Sequence, residues 1–345
     1  MVLSAIVGQP AARGLLERAL RSGRLAHAYL FDGPDGVGKR TTAIALGAAI
    51  VCTPKPGIGC GACDNCVRVF SGNHPDVRVF EPDGQLIKAQ HAEEMVTLGQ
   101  EGPHEAPGRV IIIDQAHRMN PTAANRLLKT LEEPHAGNHF VLVTAATDQL
   151  LPTIRSRTQR VRFSSIPSGP LLGIVQAKAA EMGLPVTAAE AAVALSGGSI
   201  GRALDALSAE TAEADGASPG EQMASLRRAA GTRAAIPMLD AASQFSGTKD
   251  DRARLTEVLN RLLHYYRDVL VNAAGADELV VMKALGEDVA ALARATDGKT
   301  QPVTKALGAV LEAQTAVEGN VSPPLLLEVL LFRLAALESR VRRPA

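Results

Sequence analysis

Apolar positions change their rhythm along this chain. In the first half, short unbroken apolar runs stand between glycine-rich turns and stretches of helical spacing. Tyr29-Leu30-Phe31, Val110-Ile111-Ile112-Ile113 and Phe140-Val141-Leu142-Val143 are such runs. A strand that is apolar on both faces belongs inside a parallel sheet covered by helices. Val77-Arg78-Val79-Phe80 alternates like a strand with one buried face, and Gln159 to Phe163 reads as the last strand. Between these runs, Ala12, Leu15, Leu16 and Leu20 recur at helical spacing, as do Ala124, Leu127, Leu128 and Leu131. Ile87 to Gly99 reads as a further helix. Asn120 before Pro121 supplies a cap and a first-turn proline. The alternation predicts an α/β domain over residues 1–165.

From Ser164 the pattern is helical alone. Leu171 to Met182 and Thr187 to Leu195 predict two helices, and Gly197-Gly198-Ser199 opens a third. This suggests a small helical domain over 166–208. Ala209 to Gln222, rich in Ala, Glu, Ser, Gly and Pro, reads as a linker. Beyond it an all-α domain is expected over 209–345, with Leu255, Val258, Leu259, Leu262 and Leu263 on one face. Arg340, Arg342 and Arg343 read as a solvated basic tail.

The first apolar run leads into Asp32-Gly33-Pro34-Asp35-Gly36-Val37-Gly38-Lys39-Arg40-Thr41. This is the spacing of a P-loop, in which backbone N–H groups and a lysine cradle phosphate at a helix N-terminus. Gly33, Gly36, Gly38 and Lys39 fit. The next position should be Ser or Thr, to hold Mg²⁺, but Arg40 stands there and Thr41 comes one place late. Asp114 ends the β-branched run, where P-loop proteins support Mg²⁺. The following residue, Gln115, has a neutral amide that can hold a water but cannot take its proton. Two departures in the same direction predict that hydrolysis is lost.

All four cysteines, Cys52, Cys60, Cys63 and Cys66, fall within a short glycine-rich stretch. Four thiolates at C-x7-C-x2-C-x2-C suit a closed structural Zn²⁺ site over about residues 52–66. An iron–sulfur cluster or unligated thiols stay open as alternatives.

Charge and composition narrow the picture. Lys plus Arg and Asp plus Glu both number 36, so a free-standing tight nucleic-acid binder is not expected. Aromatics are 3% and Trp is absent, which argues against a base-stacking platform. No apolar run is long enough for a membrane span, and Met1 to Gln9 lacks the pattern of a signal peptide, so a cytoplasmic location is expected.

Over about residues 3–205 the chain resembles the delta-prime family of bacterial DNA polymerase III clamp-loader subunits, in the AAA+ superfamily. The resemblance is carried by His27-Ala28-Tyr29-Leu30-Phe31, the four-cysteine module, His74-Pro75-Asp76 and Asp114-Gln115-Ala116-His117-Arg118-Met119. Its most specific piece is Ala123-Ala124-Asn125-Arg126-Leu127-Leu128-Lys129-Thr130-Leu131-Glu132-Glu133-Pro134. It implies an AAA+ P-loop parallel-sheet domain with an inserted four-cysteine zinc module, a small helical lid domain and an all-α collar that joins subunits. It also implies a hetero-pentamer with ATPase (gamma/tau) and delta subunits, acting on a sliding clamp and primer–template DNA. Clamp-loader subunits carry a Ser-Arg-Cys motif whose arginine reaches a neighbour's ATP site; here Ser156-Arg157-Thr158 keeps the arginine. Arg157 is thus an arginine finger or the member of a local ion pair, whereas Arg155, Arg160 and Arg162 read as a solvated edge. Arg202 is a nucleotide sensor or a helix-start ion pair. Gly33, Gly36, Gly38, Lys39, Arg40, Thr41, Asp114 and Arg202 would face ATP or ADP if the loop still binds nucleotide. Two other readings stand beside this one: an active gamma/tau-type motor, and a zinc-dependent nucleic-acid-binding module.

Overall fold

The computed structural model describes residues 2–84, 86–211, 219–245, 248–282, 285–317, 319 and 321–341. It divides into two compact units, Met1–Leu171 with Gly198–Gly201, and Leu172–Gly197 with Arg202–Ala345.

The first unit is built on five parallel strands: β1 (Ala28–Asp32), β2 (Val77–Phe80), β3 (Arg109–Ile113), β4 (Asn138–Thr144) and β5 (Gln159–Arg162), in the order β2-β3-β4-β1-β5. The central strands are the unbroken apolar runs, because helices cover both faces and every side chain of β3 is buried. One face packs Tyr29, Phe31, Ile112 and Val141 against Ala45, Leu46 and Ala49 of the helix Lys39–Val51. The other packs Leu30, Ile111, Ile113 and Leu142 against Met95, Leu127 and Leu131. That second layer contains the helices Ala89–Gln100 and Pro121–Glu132, and the Asn120 side chain caps the latter by accepting from the Ala123 N–H at 2.7 Å. The first of these helices starts later than its periodicity predicts. Ile87 is drawn out as a bridge partner of Met119.

In the second unit the helix Lys249–Ala273 is central. Leu255, Val258, Leu259, Leu262, Tyr265, Tyr266 and Val269 line its buried face. The linker expected over 209–222 is shorter than composition suggests: helices run through Thr211 and resume at Pro219, and 212–218 lie outside the described residues. Arg342 and Arg343 of the expected tail also lie outside them. Among the described residues, no helix is long and apolar enough to cross a membrane.

Candidate functional site

β1 delivers the chain into the glycine loop, and the helix Lys39–Val51 leaves it with Gly38 at its N-cap in the left-handed region (φ 95°). Two of the glycines are required. A Cβ on Gly33 would lie 2.2 Å from the Phe163 carbonyl oxygen, and one on Gly36 (φ 71°) would lie 2.1 Å from Ser199 Oγ. Lys39 is 5% exposed. Its ammonium donates to the carbonyls of Gly33 at 2.6 Å and Pro34 at 2.5 Å. Burial pushes the Lys39 pKa down, against the charges of Asp35, Asp114 and Asp32. The loop is thus folded around its own lysine.

Arg40 and Asp114 meet. The Arg40 guanidinium lies 3.5 Å from Asp114 Oδ2 and pairs also with Glu81, just past β2. Burial raises the Asp114 pKa; Arg40 and the Gln115 N–H, which donates to Asp114 Oδ1 at 3.0 Å, oppose that shift. Gln115 sits in the left-handed region (φ 49°), at a cost of roughly 1–2 kcal/mol for a residue with a Cβ. These residues do not fit Mg²⁺. The ion needs octahedral oxygen ligands at about 2.0–2.1 Å, yet a fixed cation already stands on both carboxylates. Thr41 is exposed, and the Thr42 hydroxyl is spent on the Gly38 carbonyl at 2.7 Å.

The cysteines converge. The four Sγ atoms all lie within 4.8 Å of one another, with Cys52–Cys63 and Cys60–Cys66 both at 4.0 Å. A tetrahedron of thiolates around zinc, with Zn–S of about 2.3 Å, has edges of about 3.8 Å. Backbone N–H groups of Cys60 and Cys63 point at Cys52 Sγ (3.3 Å) and Cys60 Sγ (3.2 Å). The Ala62 and Cys63 N–H groups bring the Cys60 thiol down to about 6, whereas burial pushes Cys66 up to about 12. A four-sulfur set with N–H···S support and no open position fits a structural Zn²⁺.

Arg157 pairs with Glu132 and donates from Nη1 to the Thr153 carbonyl at 2.8 Å. Arg155 and Arg162 are exposed. Arg160, expected to be a solvated edge residue, instead grips Asp32 at the end of β1 through Nε at 2.8 Å. Burial works to raise the Asp32 pKa, but hydrogen bonds from Thr147 and Arg160 hold it below the ordinary value. Arg202 is exposed near the start of the helix Ile200–Thr211 and belongs to the second unit, whereas the loop belongs to the first. Sequence reasoning missed Glu81 and Glu132. Glu81 stands in no motif and Glu132 reads only as part of the Ala123–Pro134 stretch; the arginine that each one pairs with is distant in sequence.

Residues 8–167 match the family described as "DNA polymerase III, delta subunit". A DNA polymerase III subunit delta′ of Bacillus subtilis is 31% identical over 94% of this chain and 96% of its own length. The chain belongs to the DNA polymerase III delta-prime family. Other members and cousins match over less. A delta′ subunit of Pseudomonas aeruginosa is 35% identical over 50% of this chain and 53% of its own length. A gamma/tau subunit of Mycobacterium tuberculosis is also 35% identical, over 47% of this chain and only 28% of its own length. The delta-prime assignment therefore rests on a full-length match, and the gamma/tau likeness is confined to about half of the chain.

Proposed function

We propose that this chain is the non-hydrolysing AAA+ subunit of a bacterial clamp loader, working in the cytoplasm in DNA replication. It would assemble with gamma/tau ATPase and delta subunits in a hetero-pentamer. Their ATP cycle would open a sliding clamp and close it on primer–template DNA. The observation that carries the non-hydrolysing reading is the Arg40–Asp114–Glu81 cluster. A guanidinium pairs with Asp114, the carboxylate on which a motor would support Mg²⁺, and Gln115 cannot act as the base. Arg157 is the residue offered to a neighbouring ATP site, where an arginine finger is worth roughly 10³–10⁵ in rate. Its exposed pairing with Glu132 is weak enough to exchange.

Other parts of the chain suit this role. The cysteines hold a structural zinc. Residues 166–208 would act as the lid, with Arg202 offered as its nucleotide-sensing position. Residues 209–345 act as the collar. Leu325, Val329 and Phe332 give the helix Pro323–Val341 an exposed apolar stripe, which supports an interface there. The test is ATP turnover by the chain alone and mixed with gamma/tau and delta subunits, clamp and primed DNA. No turnover alone, with stimulated turnover in the mixture that falls for Arg157→Ala, is the expected result. Turnover by the chain alone would make it a motor.

A further inference from the structure

The first long helix of the chain ends in a cluster of cations. The helix Pro10–Ser22 carries Arg18 and Arg21 three residues apart on its outer face, and Gly23 turns the chain back in the left-handed region (φ 65°). The Arg24 N–H then donates to the Ala19 carbonyl at 3.0 Å, which holds Arg24 beside the last turn. A fourth cation comes from the cysteine module. The Lys55 carbonyl accepts from the Ile58 and Gly59 N–H groups at 3.2 and 3.0 Å. The turn so closed lies on the helix end, where a Cβ on Gly57 would stand 3.6 Å from the Leu20 carbonyl oxygen. All four cationic residues are exposed. Carboxylates are scarce around them. Glu17 is the sole acid between Met1 and Phe31 and pairs with Arg13 at 3.6 Å, and Cys52 to Cys63 contains no acid. Among the described residues, Arg18, Arg21, Arg24 and Lys55 have no ion pair, whereas Arg40, Arg78, Arg126 and Arg157 of the same unit each have one. The helix dipole accounts for one cation at a helix C-terminus. It does not account for four in a chain whose total charge is zero.

We propose that this helix end is a docking surface for the phosphodiester backbone of duplex DNA, bound without regard to sequence. Guanidinium groups present paired N–H donors that match phosphate oxygens, and three of the four cations are arginines. Single strands are held largely by bases stacked on aromatic rings. All three tyrosines are buried, and Phe332, in the helical unit, is the one exposed aromatic among the described residues. The surface therefore offers phosphate contacts and no ring for a base to stack on. Zero net charge confines the attraction to this patch, so the affinity is that of non-specific binding, with a Kd on the order of 10⁻⁴–10⁻⁶ M. The inference goes beyond the clamp-loader reading. It concerns a surface made by residues 18–24 and 55–59, in which neither the glycine loop nor Arg157 takes part.

The experiment is fluorescence anisotropy of a labelled duplex of about 20 base pairs, titrated with the full chain between about 50 and 200 mM NaCl. Wild type is compared with Arg18→Gln/Arg21→Gln/Arg24→Gln and with a control that removes the same charge from the helical unit, Arg228→Gln/Arg294→Gln/Lys305→Gln. All six positions are exposed and Gln suits helices, so both variants keep the fold, which circular dichroism checks. Wild type should bind with a log–log salt slope of about −3 to −4, since four phosphate contacts contribute about −0.9 each. The Arg18/Arg21/Arg24 variant should fall to a slope of about −1 and bind at least about tenfold more weakly at the lower salt. The control should stay within about twofold of wild type. No wild-type binding at the lower salt overturns the proposal, as does an equal loss in the control, which makes the effect one of net charge. A single strand of the same length bound more tightly than the duplex also overturns it. So does an Arg18/Arg21/Arg24 variant that keeps its DNA affinity but no longer joins gamma/tau and delta subunits, because the patch then meets a protein. The mixing assay reads clamp-loader function through Arg157→Ala, so the two readings fail separately.

Discussion

Replacing Asp76 by Asn should loosen the whole first unit. Asp76 is fully buried. Its Oδ1 accepts from the His104 N–H at 2.6 Å and from Arg109 Nε at 3.1 Å. Its Oδ2 accepts from the N–H groups of Glu105 and Ala106 at 2.9 and 3.0 Å. Arg109, 5% exposed in its side chain, has no other carboxylate partner within the described residues and otherwise donates to the carbonyls of Leu98 and Glu101. In Asp76→Asn one oxygen becomes an NH₂ that faces donors it cannot accept, and the guanidinium is left buried without a counter-charge. Breaking a buried pair from one side costs about 3–5 kcal/mol. The assay is hydrogen exchange of the β3 amides, Val110 to Ile113, which reports this unit without reference to the helical one. Protection should fall by roughly 10²–10⁴-fold, at about 1.4 kcal/mol per tenfold. Adding Arg109→Met should recover part of the loss by removing the orphaned cation. The pH dependence follows in sign. Burial raises the Asp76 pKa, but the three N–H groups and Arg109 overcome it and hold it below the ordinary value. Its contribution is therefore present above the unfolded carboxylate value of about 3.9 and is lost as pH falls through the lower folded value. Wild type and Asp76→Asn should converge only in that acid range. A fall in protection under about tenfold at neutral pH would falsify the view of Asp76 as the buried anchor of the 104–106 segment.

Other expectations test other parts of the molecule. Glu132→Gln should change stability by no more than about 1 kcal/mol, because its pair with Arg157 is solvent-exposed. The same variant should leave stimulated turnover in the clamp-loader mixture intact, and a collapse to the level of Arg157→Ala would show that Glu132 is needed to aim the finger. Gln115→Glu should not restore hydrolysis, since Arg40 still stands on Asp114; measurable turnover by that variant overturns the inactive-site account. Zinc assayed by a colorimetric chelator should be released at about one ion per chain on thiol blocking. Chelated protein should lose thermal stability yet still join its partners, and failure to assemble would give the module a role beyond its own fold.

Much of the architecture follows from local pattern. Val110 to Ile113 and Phe140 to Val143 are apolar at every position, and only a strand covered on both faces makes use of that. Gly33, Gly36, Gly38 and Lys39 carry their loop in their spacing, and Cys52, Cys60, Cys63 and Cys66 carry their convergence in theirs. These signals are legible because backbone periodicity and short loops act over a few residues. What spacing leaves open is pairing across the sheet. Arg40 reads as a damaged magnesium position, and only the neighbouring ends of β2 and β3 show that it has taken Glu81 and Asp114 as partners. Arg160 reads as a solvated edge until parallel β5 pairs it with Leu30 of β1, from where its guanidinium reaches Asp32 two residues further along the strand. Asp76 stands in a recognisable His-Pro-Asp triplet, but its work is done on N–H groups almost thirty residues away. An ion pair depends on distances between elements, and in this chain those distances are set by strand order and helix packing, which charge sequence alone does not encode.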